Sequence, residues 1–101
     1  MLDYSDSDFS IRLHPDQSGE MAKSIFTPEY RRFLVLLRET RESAGVTQAE
    51  LAVRLGQTQS LVSKFERGEI RVDVIQLRTI CQIVGTTLPA FINSLEKRLA
   101  K

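Results

Sequence analysis

Histidine and cysteine are nearly absent from this chain. His14 and Cys81 are the only ones among 101 residues. One cysteine closes no disulfide within the chain, which fits a reducing cytoplasm. One histidine, beside Pro15, gives a metal site or a histidine-based triad almost nothing to build on. Ser60 and Ser63 have no candidate base in the pattern, and there is no phosphate loop or glycine-rich nucleotide fingerprint. The expectation is a protein that is not an enzyme and has no metal and no cofactor. No uncharged apolar run approaches the roughly 20 residues of a membrane-spanning helix. The first residues, Met1-Leu2-Asp3-Tyr4-Ser5-Asp6, are acidic where a secretory signal would be basic and then apolar. No membrane association and a cytoplasmic location are therefore expected.

What is present is a balanced globular composition, 42% hydrophobic and 27% charged. The net charge of +1 hides a division. Residues 1–20 hold Asp3, Asp6, Asp8, Asp16 and Glu20 against Arg12, a net of −4. Residues 21–101 hold 13 Lys and Arg against 8 Asp and Glu, a net of +5. A basic domain behind an acidic segment suits a polyanionic partner, although many solvated domains carry as much charge.

The chain divides into an acidic N-terminal tail, 1–24, and a domain, 25–101. Alternating Ser and Asp between Tyr4 and Ser10 favour a solvated coil. Phe9, Ile11 and Leu13 alternate with Ser10, Arg12 and His14, the period of one short strand that Pro15 would end. A lone strand has no ladder to join, so a flexible tail is expected, ordering only against a partner chain or a second copy.

The rest is all-α, a compact set of five helices punctuated by glycine. Thr27-Pro28-Glu29 is a helix start, with a hydroxyl cap, a proline in the first turn and an acid near the positive end. Tyr30, Phe33, Leu34, Leu37, Arg41 and Ala44 then recur at helical spacing before Gly45. Thr47-x-x-Glu50 is a capping box for a second helix that buries Leu51, Ala52 and Leu55 and stops at Gly56. A third helix starts at Thr58 or Gln59 and ends at Gly68. Asp73-x-x-Gln76 opens a fourth, with Val74, Leu77, Ile80, Cys81 and Val84 inward. Thr87 and Pro89 open a fifth, with Leu88, Phe91, Ile92, Leu95 and Leu99 as its apolar positions. Cys81, on an inward face, is expected to be core rather than a redox sensor.

The second and third helices are joined by a turn of three or four residues, which requires small or apolar residues where they cross. Ala52 is small, and Gly56 suits a left-handed turn. With Val62 and Phe65 packed on Leu51 and Leu55, the third helix turns Gln59, Ser60, Ser63 and Lys64 outward. Such a face is commonly no more than solvated surface. Here, however, a helix of about ten residues, too short to stand alone, is braced on one side and offers side chains that suit base edges and phosphates on the other.

The segments TQAELAVRLG, QSLVSKFERG and LRTICQIVG, in that order, resemble the lambda-repressor-like (Cro/CI, XRE) helix-turn-helix family over roughly residues 29–95. The resemblance implies a five-helix DNA-binding domain. It also implies roles. Gln48 contacts a phosphate and braces Gln59; Gln59 and Ser60 meet base edges; Lys64 meets a base or a phosphate; Ser63 touches the DNA backbone. Thr47 and Thr58, at the helix starts, belong to the same surface, and Arg67 and Arg71 touch phosphates. Leu61 either touches a thymine methyl or is partly buried. Glu69 departs from the basic residue often found in this loop, which implies a weaker hold on phosphate there. Arg41 and Glu66 are expected to form a partly buried ion pair. The function implied is a sequence-specific transcriptional regulator, a repressor in the cytoplasm at the nucleoid, binding double-stranded DNA as a homodimer. The fifth helix is the candidate dimer face, although core packing alone would also explain its stripe. The alternative is an antitoxin-like interaction module whose acidic residues 1–24 bind a protein partner.

Overall fold

The structure, a computed structural model, describes residues 27–100, and the expected tail and strand at residues 1–24 lie outside them. Among the described residues there are five helices and no strand: α1 (Pro28–Ser43), α2 (Gln48–Leu55), α3 (Gln59–Arg67), α4 (Val74–Ile83) and α5 (Leu88–Leu99). Each start is capped by a side-chain oxygen, which satisfies a backbone N–H that the helix leaves without a partner. Thr27, Thr58 and Thr87 accept from the N–H of Tyr30, Leu61 and Ala90. Thr47 with Glu50, and Asp73 with Gln76, form reciprocal capping boxes. The two ends that matter to the site are closed by Gly56 and Gly68, both left-handed at φ 71° and 81°. A side chain there would be strained.

The core gathers Phe33, Leu34, Leu36 and Leu37 of α1, Leu51 and Ala52 of α2, Val62 of α3, Leu77, Ile80 and Cys81 of α4, and Phe91 of α5. Phe65 of α3 is fully buried as well. The helix α3 packs on α2 and α1, α4 packs on α2 and α5, and α5 packs on α1. The short α3 thus takes its stability from two neighbours rather than from its own turns. Burying one side chain such as Phe65 stabilises by about 1.5–3 kcal/mol.

Three positions differ from the sequence reading. Leu36 is buried, because α1 is covered from two sides, by α3 and α5, and its apolar stripe is wider than one face. Ala44 is exposed, since the helix ends there and Ala44 serves as its C-cap. Val74 is 59% exposed. It is the first residue of α4 and sits on the open side of a groove of 460 Å³ lined by Tyr30, Phe33, Val72, Leu77 and Leu95.

Candidate nucleic-acid interface

Gly56 N–H donates to the Val53 carbonyl, and Gln57 N–H reaches back to Ala52. That turn sends α3 across α2 rather than onward along it. Val62 and Phe65 fix the rotation of α3 by burying its inner edge. Gln59 and Ser60 are consequently exposed on its first turn, and Ser63 and Lys64 are half-buried one turn later. Thr47 and Thr58 are exposed at the starts of α2 and α3, where each serves as a cap. Leu61 is partly buried.

Arg41 and Glu66 form a two-pronged ion pair beneath this surface. Arg41 Nε–H donates to Glu66 Oε2 at 2.6 Å and Nη2–H to Oε1 at 3.0 Å, with the side chains only 9% and 6% exposed. Arg41 Nη1–H also donates to the Val46 carbonyl at 2.9 Å, which ties the α1–α2 loop to the same guanidinium. The hydrogen bond from Glu66 holds the Arg41 pKa above its ordinary value, against the desolvation that lowers it. Parallel N–H bonds to one carboxylate are the strong arrangement for such a pair.

The structure corrects the partner expected for Gln48. Gln48 does not brace Gln59; its amide N–H donates to Glu66 Oε1 at 2.9 Å. The carboxylate of α3, already aimed at α1, presents an acceptor to the first residue of α2, and a carboxylate outcompetes a neutral amide for an N–H donor. Glu66 therefore links α1, α2 and α3.

Two arginines flank α3. Arg67 lies along its outer edge: Nε–H donates to Glu69 Oε2 at 2.7 Å, and Nη1–H donates to Ser63 Oγ. Arg71 stacks over the Tyr30 ring, 4.7 Å from its centroid, and the neighbouring Val72 N–H donates to the Tyr30 hydroxyl at 3.2 Å. Tyr30 thus fixes the course of the α3–α4 loop. None of these loop contacts carries a periodic sequence signal; an aromatic in the first turn of α1 is the one hint. Cys81 is in the core, and burial pushes its thiol pKa up, so it stays a neutral thiol rather than a nucleophilic thiolate. Among the described residues, no group of three or more His, Cys, Asp and Glu is placed to hold a metal ion, and no helix is long and apolar enough to cross a membrane.

Comparison with known proteins gives these elements a family. A family model described as a helix-turn-helix domain matches residues 32–90. An XRE-family like protein from Pseudomonas syringae pv. tomato str. DC3000 has a solved structure that is 44% identical. The match covers 78% of this chain and 96% of that one, with a TM-score of 0.68. A crystal structure of FeII HppE in complex with substrate is 34% identical over 59% of this chain, with a TM-score of 0.53. That likeness takes in only 35% of the HppE chain, so it concerns the shared helical module. No curated protein sequence matches. With more than half its length in the family model and a relative matched almost end to end, the chain belongs to the XRE-type helix-turn-helix family of DNA-binding domains.

Proposed function

We propose that this protein is a sequence-specific transcriptional repressor, without enzymatic activity, that lays α3 in the major groove of double-stranded DNA. One observation carries the reading. The inner edge of α3 is fully committed, through Val62, Phe65 and Glu66. Gln59, Ser60 and Lys64 are left on the outer side, beside Gln48, whose orientation Glu66 fixes. Gln and Lys suit the adenine and guanine edges of that groove. Arg67 ends α3 and Arg71 lies in the loop after it, and in this reading both meet backbone phosphates.

A single helix reads only a few base pairs, so the reading includes a homodimer. Two-fold symmetry would place two copies of α3 about 34–36 Å apart, matching half-sites one helical turn apart. The proposed dimer face is α5, where Ile92 is 38% exposed. The charge division favours a second reading, in which the acidic residues 1–20, net −4, bind a protein partner as an antitoxin-like module would.

Selection of bound sequences from a random DNA pool tests both. The repressor reading predicts an enriched near-palindrome. An absence of enrichment would contradict it and favour the protein-interaction reading, for which a pull-down with and without residues 1–20 is the check.

A further inference from the structure

Arginine grips a phosphate best with two parallel N–H groups, either Nε with Nη2 along its side or Nη1 with Nη2 at its end. In Arg67 the side pair is already half used: Glu69 holds Nε–H at 2.7 Å, and Ser63 Oγ accepts from Nη1–H. A phosphate can take the Nε–Nη2 side of Arg67 with two bonds only by displacing Glu69.

Glu69 is not a loose side chain that happens to lie nearby. The left-handed Gly68 reverses the chain, and Glu69 N–H then donates to the Lys64 carbonyl at 2.9 Å. This folds residue 69 back over the last turn of α3. Its carboxylate is consequently set among the cations of that edge, and its pKa lies below the ordinary carboxylate range because of the Arg67 hydrogen bond, with Lys64 adding a smaller pull. Both side chains of the pair remain about half exposed, at 53% and 49%, so a phosphate can reach them and exchange is open.

We propose that Glu69 is an intramolecular stand-in for a DNA phosphate: it occupies Arg67 in the free protein and sets how tightly this edge of the domain grips any duplex, whatever its sequence. The inference rests on the DNA-binding reading above. Arg67 can take a phosphate only by giving up Glu69, an exchange between two similar contacts with little net gain, so in the wild type the Arg67–Glu69 pair largely persists on the duplex. Glu69 also faces the phosphates with its own negative charge. Ser63 acts with it by holding the other end of the same guanidinium.

The test measures binding of the full chain to a fluorescent mixed-sequence duplex by anisotropy, across a salt series. Wild type, Glu69→Gln, Arg67→Ala and the double variant are compared, with circular dichroism to show that each folds. Glu69→Gln keeps the shape and removes the charge. It is expected to tighten binding about three- to tenfold at low salt and to steepen the logarithmic salt slope by about one, the signature of one added phosphate contact. That advantage should shrink by about threefold between 50 and 200 mM salt. In the Arg67→Ala background the same substitution should change the slope little. An unchanged slope in Glu69→Gln, with wild type still binding, overturns this inference alone. An equal gain in the Arg67→Ala background overturns the route through Arg67. A wild type that binds no duplex at any salt overturns the DNA-binding reading, and this inference with it.

Discussion

Glu66 and Arg67 are adjacent in the chain, and each holds an ion pair across the last turn of α3. Their surroundings differ. Glu66 points inward and meets Arg41 with two N–H bonds where both side chains are less than a tenth exposed. Arg67 points outward and meets Glu69 with one N–H where both are about half exposed. One residue step on a helix is a rotation of about 100°, and here that step separates core from solvent. The inner carboxylate also accepts from Gln48, and its guanidinium also donates to Val46. It is a joint for three helices, with no side left open for a ligand. The outer pair leaves N–H groups unused and partners that water or phosphate can replace. The same two residue types thus make a fixed frame on one side of α3 and an exchangeable contact on the other.

Breaking that contrast is straightforward. The largest effect is expected from Glu66→Ala, which strands Arg41 beneath the surface. Losing one partner of a buried pair costs about 3–5 kcal/mol, so urea unfolding should show a much lower midpoint, and an unchanged midpoint would refute the joint. Next is Gln48→Ala, which removes one bond to a carboxylate that Arg41 still satisfies. About 1–2 kcal/mol is expected by the same unfolding measurement, together with weaker DNA binding. Arg98→Ala removes a pair to Glu39 that is open to solvent, and stability should move by no more than about 1 kcal/mol. Arg67→Ala should be smallest for stability, leaving the unfolding midpoint in place while DNA binding weakens and its salt slope falls. A midpoint that dropped as far for Arg67→Ala as for Glu66→Ala would erase the distinction.

These two pairs also show where sequence reading succeeds and where it stops. The caps at Thr27, Thr47, Thr58, Asp73 and Thr87 depend on residues three apart, and the glycine stops depend on one residue, so they are legible locally. The inward edge of α3, Val62 with Phe65, follows from helical period alone. The Arg41–Glu66 pairing is legible only through the family resemblance, because two charges 25 residues apart carry no local signal. The bond from Gln48 to Glu66 spans 18 residues and depends on the crossing of three helices. The pose of Arg67 depends on the backbone reversal at Gly68, which turns an unremarkable Glu69 into its partner. The burial of Leu36 and the exposure of Val74 are not legible in the sequence, because period tells which face a residue occupies and not how far its neighbours extend over it.

The central claim is that the outer face of α3 reads base sequence while its flanks grip the backbone. The most direct test compares wild type with Gln59→Ala on two duplexes, one selected from the random pool and one unselected. A good base contact is worth about 1–3 kcal/mol. The account predicts that affinity for the selected duplex falls by roughly five- to 150-fold while affinity for the unselected one stays the same. Equal losses on both duplexes, or no loss on either, would contradict it.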